Sequence, residues 1–488
     1  MSNTLAANTE SVDPLDNNKL KTWKRRSIKV LLTMFVIVTV LLGLFVVINW
    51  SDEALSERAK LLLREPPRQV ADAQNAYYIL KAMDAPADTD VFKTAVDKEH
   101  AERAEFLKNR GIYTASVKDP EKPATVTFTW DQKQCQQMPN CVQDILAHRT
   151  NLSGLMKDNQ LLLQRYQMMQ KMGNYEELLL PTYMASVPAY SQLMRAMDMQ
   201  TTKAVFEMAD GKFETGLQEL ESNNHYTRLM LGKSSSLISK MVLLTALCKQ
   251  VRVVSELAVL YPVLMVQYAE RLNLLVKPMS DVERSLVAAI SYEVMVNMRF
   301  VQDLPENAKA AQNSSDPEMS SWQYKMLAGK YSFHVNATSN LFARHWDIIL
   351  NTASQKLPDT VTMKKQLIEL QEKNLGTGIL SAHHYVYNPA GKMLASTVIP
   401  DQFSSFLERS IDADAYLRLV ALQFDILSKK IPVTDIPAYV DNAAAVFRSP
   451  YDGAAMKWDV RTRQLSFTGH EKASTNPDGG KISIVSLI

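Results

Sequence analysis

Gly232, Lys233 and Ser234 stand in the order that closes a phosphate-binding loop, in which successive backbone N–H groups curl around phosphate and a lysine reaches its outer oxygens. That motif places its first glycine five residues before the last one, and the residue there is Thr227. Arg228 to Leu231 continue a helical pattern, so Gly232 reads as a helix end and Ser234 to Ser236 as the cap of the next helix. Glu293 is the one catalytic-looking carboxylate, because "SLVAAISYEVMVNMRF" sets it on a strongly apolar helix between Glu283 and Arg299. Such a group is either a paired structural carboxylate or an acid/base residue lining a groove. With a histidine such as His383 in a helical cleft, it would serve an envelope hydrolase or lyase; structural pairing is the commoner case.

The remaining chemical groups carry less. His383 and His384 are the one adjacent pair among eight histidines. With His334 and His345 they would make a metal site only if the fold gathered them, and no HExxH spacing exists. Exposed loop histidines are the plainer expectation. In "ERSIDADAYLR" the spacing of Glu408, Arg409, Asp412, Asp414 and Arg418 suits ion pairs on a solvated helix face, and the glycine and closing glutamate of a calcium loop are missing. The 24 methionines include "RYQMMQKMG" and "QLMRAMDMQ", which read as pliable core filler or an adaptable partner groove rather than a copper site. No nucleophile elbow or glycine-rich cofactor loop occurs. Catalytic, cofactor and metal residues are therefore expected to be none, with Glu293 the weak exception.

The elements that would position these groups begin with a membrane anchor. Val30 to Ile48 carries no charge and as a helix reaches about 28 Å, roughly one bilayer core. It exceeds the h-region of a signal peptide, about 7–15 residues, and "NWSDEA" offers no small-x-small cleavage site, so the anchor is retained. Lys19, Lys21, Lys24, Arg25, Arg26 and Lys29 precede it, whereas Asp52, Glu53 and Glu57 follow. Basic flanks stay cytoplasmic, so the N-terminus is inside and the body is exported, in a bacterium to the periplasm. Trp23 and Trp50 bracket the span as interfacial aromatics do. A net charge of +2 gives no footprint for nucleic acid. Cys135 and Cys141 in "KQCQQMPNC" suit a small disulfide loop in such a compartment, since Pro139 and Asn140 favour a turn. Cys248 lies in an apolar stretch and reads as a buried thiol.

Beyond the anchor the pattern is mainly α. Residues 1–27 form a cytoplasmic tail and 28–50 the transmembrane anchor. Residues 51–310 read as a helical periplasmic region with a short strand at "ATVTFTWD" and the cysteine loop, 311–448 as a second helical region, and 449–488 as a small β appendage. "TTKAVFEMADGKFETGLQELESNNHYTRLML" predicts a helical hairpin turning at Asp210 and Gly211, with Ala204, Ala209 and Gly216 where paired helices approach. "NAKAAQNSSDPEMSSWQ" is the best internal break.

Several stretches occur together in one order: "NAYYIL" from Asn75, the Cys135 and Cys141 pair, Ala209-Asp210-Gly211, "SLISKM" from Ser236, "YNPAGKML" from Tyr387 and "SPYDGAAMKWD" from Ser449. In them the chain resembles a family of uncharacterised, membrane-anchored proteobacterial proteins. The resemblance implies an envelope location and brings no established activity. The expectation is a single-pass inner-membrane protein whose periplasmic body acts as a scaffold, adaptor or assembly factor binding an envelope protein, without cofactor, nucleotide or nucleic acid.

Overall fold

The computed structural model describes residues 17–109, 126–130, 140–183, 185–312, 325–327, 329–376, 384–397, 400–473 and 476–487. Its first element is the Asn17–Ile48 helix. Trp23–Ile48 within it has a mean hydropathy of 3.0 and is long and apolar enough to cross a membrane. The helix begins before the expected span and carries its basic residues on its own first turns. It ends at Ile48, leaving Asn49 and Trp50 beyond it.

The rest is mainly helical, with a small sheet at its C-terminal end. Leu237–Leu260 is the central helix: a broad apolar stripe of Leu243, Leu244, Leu247, Val251, Val254 and Leu257 is wholly buried. It packs against Tyr190–Ala209, Phe213–Lys233 and Pro400–Ser428, and more lightly against Val287–Gln312. Tyr190–Ala209 and Phe213–Lys233 form the expected hairpin. Gly211 turns it at φ 75°. Gly216 allows the close approach, since a Cβ there would lie 2.6 Å from Met208 Cγ and 2.9 Å from the Ala204 carbonyl oxygen. A second apolar cluster joins Val287–Gln312, Val335–Ala353 and Thr360–Leu375, and it takes in Ala59 from the short Glu57–Leu62 helix after the anchor. Trp346 is fully buried there with Phe403 edge-on, ring centres 5.0 Å apart.

Three expectations change. Residues 126–130 alternate as expected, with Phe128 and Trp130 buried, but they pair with no strand. Their backbone bonds go elsewhere: Val126 N–H donates to the Asp84 carbonyl, while Arg195 and the Asn159 side chain donate to the carbonyls of Phe128 and Thr129. Alternation reports a two-sided environment, and here helices supply it in place of a ladder. The acidic run on Pro400–Ser428 is not a solvated face. Asp414 is fully buried and accepts from the Met279 N–H, Arg284 and Arg418. Asp412 accepts from the Tyr451 hydroxyl and the N–H groups of His470 and Glu471. The long helix thus holds down the sheet. His334 and His345, expected in exposed loops, are both buried.

The sheet has the order β1-β2-β3, all antiparallel, from Lys457–Asp459, Gln464–Ala473 and Asn476–Ser486. Leu465, opposite Val485, points inward with Phe467 and Leu487. The register slips between Thr468 and Lys472, where Gly469 makes room for Asp412: a Cβ would meet its Oδ2 at 2.2 Å.

Candidate functional site

Glu293 and the Gly232-Lys233-Ser234 stretch converge on one place, the N-terminus of the Leu237–Leu260 helix. Ser236 caps it by accepting from the Ser239 N–H. Two carboxylates complete the cap. Glu177 accepts from the Ser235 N–H at 2.7 Å and its hydroxyl at 3.0 Å, and the Glu293 carboxyl lies beside the Leu237 N–H, which favours its charged form. Anionic oxygens at a helix N-terminus satisfy orphan donors and oppose the helix dipole. Burial pushes the Glu293 carboxyl up, and the Leu237 N–H partly opposes that. The two charged residues that flank it in the sequence are engaged elsewhere. Glu283 is paired with Arg228 at 3.1 Å in a buried bridge, and Arg299 reaches Glu65 at 3.1 Å.

Glu177 also accepts from the Tyr175 hydroxyl at 3.0 Å and the Tyr190 hydroxyl at 2.9 Å, so its four bonds leave little capacity for a substrate. Tyr77 lies beside this group with a buried hydroxyl that finds no hydrogen-bond partner. Burial, then the Tyr190, Glu99 and Glu177 oxygens, push its ionisation well upward. Lys240 donates to the Leu231 carbonyl at 2.8 Å, across the loop that resembled a phosphate cradle, and burial lowers it to about 8. The helix runs through Gly232 and ends at Lys233, one residue later than expected, and Lys233 lies on a shallow hollow of about 310 Å³ with His225, Arg228 and Lys277. A second hollow, of about 320 Å³, includes Arg284 and Ser410, and a third, of about 170 Å³, includes Arg252, Glu256 and Gln423. Glu293 lines none of the three.

The histidines do not gather. His334 binds Asn49, His345 Nδ1 donates to the Leu341 carbonyl within its own helix, and His383 lies outside the described residues. Among the described residues no group of three His, Cys, Asp or Glu is arranged to hold a metal. Cys135 also lies outside the described residues, so its pairing is not described. Cys141 is buried at the start of its helix, where Glu256 accepts from the Val142 N–H at 2.7 Å, and Cys248 keeps its thiol, half-buried.

The densest polar arrangement that touches the apolar N-terminal helix is a joint the sequence did not single out. Asn49, one residue past the apolar helix, is fully buried. Its amide donates to the carbonyl of Val386 at 2.6 Å and of Phe45 at 2.9 Å, and its Oδ1 meets His334 Nε2 at 3.1 Å and the Asn388 N–H at 3.0 Å. Asn388 sits in the left-handed region at φ 51° and accepts from the His334 N–H at 2.9 Å. Pro389 then starts the Pro389–Ala395 helix with its ring at the first turn. Gly391 faces the same centre so closely that a Cβ would lie 2.0 Å from Thr338 Oγ1. The His334 ring stacks on Tyr387, centres 4.9 Å apart. Burial lowers the His334 pKa, against the pull of Asp52 and Glu53.

The residues after the anchor continue the attachment. Asp52 accepts from the N–H groups of Asn336 and Ala337 at the start of Val335–Ala353, another carboxylate cap. Asn340 bonds the Glu53 side chain, the Ala54 carbonyl and the Ser56 N–H, and Arg58 pairs with Asp347 at 2.6 Å. An apolar helix followed by this series of bonds is not on a free tether. Comparison with protein-family models, curated proteins and solved structures found no match for the chain. Two signals for the joint were in the sequence, a lone Asn ending an apolar run and an Asn-Pro-Ala-Gly turn, but nothing local says that they meet.

Proposed function

We propose that this chain is a single-pass inner-membrane protein of a bacterial envelope, with its N-terminus in the cytoplasm and its body in the periplasm, and that the body is a non-catalytic scaffold, adaptor or assembly factor for an envelope protein partner. The observation that carries this reading is the buried Asn49 joint, which holds a rigid helical body at a fixed attitude to the anchor. An enzyme that needs only tethering has no use for such a joint, whereas a platform presenting a surface to a partner does. The most chemistry-like carboxylates, Glu177 and Glu293, are committed to a helix cap. The basic residues from Lys19 to Lys29 support the orientation, and the resemblance to membrane-anchored proteobacterial proteins agrees with the compartment.

The test has two parts. A C-terminal alkaline phosphatase fusion is expected to be active, and an inactive one beside a fluorescent cytoplasmic reporter reverses the topology. Crosslinking in intact membranes followed by pull-down is expected to recover a discrete envelope protein with the wild-type chain and less of it with Asn49→Leu. Equal recovery by both argues against an orienting joint.

A further inference from the structure

Trp50 follows the buried Asn49 directly, yet 62% of it is exposed. Because Asn49 is pinned by bonds to Val386, His334 and Asn388, the indole is held at one height, just beyond the last apolar turn. Two residues from far along the chain meet it there. Tyr331 lies 6.2 Å away between ring centres, and the Lys330 ammonium stands 4.8 Å from the centre of the Trp50 ring and 5.6 Å from that of Tyr331. Lys330 is exposed and makes no ion pair with any described carboxylate. The nearby acids are exposed but bonded to the body: Asp52 caps a helix and Glu53 binds Asn340. The exposed Tyr385 adjoins Val386, whose carbonyl holds Asn49.

We propose that Trp50, Lys330 and Tyr331 form a collar that binds anionic phospholipid headgroups and seats the body on the bilayer, with the lipid phosphate on the Lys330 ammonium. This rests on the anchored reading above. Amphipathic rings settle at headgroup depth, and a cation there gains from a negative lipid surface. The aromatic faces hold the ammonium at that depth while leaving its N–H donors for phosphate. Lys330 comes from the body and Trp50 from the end of the anchor, so lipid bound between them touches both.

The full chain in nanodiscs is pulsed with a water-soluble amine acetylating reagent, and modified lysines are read by mass spectrometry. Lys330 is expected to react about fivefold more slowly in discs containing phosphatidylglycerol than in phosphatidylcholine alone, the effect of one cation near an anionic surface. Exposed Lys277 on the body serves as the reference and is expected to react equally in both. Inorganic phosphate added to phosphatidylcholine discs is expected to give no such protection; if it does, Lys330 is a free-anion site and the lipid assignment is overturned. Equal Lys330 rates in both discs overturn the collar and leave the anchor standing, whereas a chain that does not stay with the discs overturns the anchored reading itself. Lys330→Glu and Trp50→Ser change exposed side chains, and each is expected to lose the phosphatidylglycerol that co-purifies with the wild type in detergent. Wild-type retention by both also overturns the proposal.

Discussion

Glu177 and Glu293 cap the same helix with different numbers of partners, and that difference sets what their replacement does. Glu293 has only the Leu237 N–H beside it, and glutamine keeps an oxygen in the same place while removing a charge that burial disfavours. Glu293→Gln is expected to move the urea-unfolding free energy by about 1 kcal/mol or less. Glu177→Gln trades an oxygen that accepts from two tyrosines or from Ser235 for an NH₂ that cannot, and is expected to cost about 2–3 kcal/mol. A normally folded Glu293→Gln chain that has lost its cellular role would instead favour catalysis. Asp303 supplies a pH dependence. Burial raises its pKa from 3.8 to about 6, against the attraction of Arg299. Between these values the folded chain binds the proton more strongly than the unfolded one, so this group favours folding at low pH and that contribution is lost as pH rises through about 6. Discounted for its half-exposed setting, Asp303→Asn is expected to stabilise the protein by about 1 kcal/mol at pH 8 and by less at pH 5, read from urea midpoints at both.

At the scale of elements, the Pro389–Ala395 turn of helix is held by Gly391. Gly391→Ala puts a Cβ 2.0 Å from Thr338 Oγ1 and 2.4 Å from the Asn388 amide, and those atoms are themselves fixed by the joint. A loss of about 2–4 kcal/mol is expected, with faster hydrogen exchange in residues 332–340 and 384–395 and little change in the Tyr190–Lys233 hairpin. The hairpin was legible because its information is local: a turn glycine, small residues at the crossing and apolar periodicity all lie within one stretch. The C-terminal strands were legible for the same reason. The joint was not, because Asn49, His334 and Asn388 are each ordinary in their own neighbourhoods and acquire meaning only when three distant segments meet. Asp412 and Asp414 misled in a related way, since spacing along one helix cannot reveal that a sheet covers one carboxylate and a capped loop the other. For Cys135 and Cys141 the expected outcome is a disulfide with Cys248 left as a thiol, checked by alkylation without reduction and mass spectrometry. The short loop it closes makes the bond worth only about 2 kcal/mol.

At the scale of the molecule, the attachment of Asn49 to Val386 spans 337 positions. Chains are made from the N-terminus at about 5–20 residues per second, so roughly 15–70 s of synthesis separates the anchor's last residues from the carbonyl that receives them. On the anchored reading proposed above, the apolar helix enters its membrane well before the joint can close. During that interval the juxtamembrane segment offers an amide, two carboxylates and an indole to water and headgroups, none of which is an adhesive apolar surface. A joint made of hydrogen bonds is therefore suited to late closure: it costs little to leave solvated while waiting, and it becomes specific only when Tyr387 and Asn388 arrive. Body and membrane helix would be assembled as separate pieces within one chain, and the attitude of the finished protein on its bilayer would be among the last things its biogenesis decides.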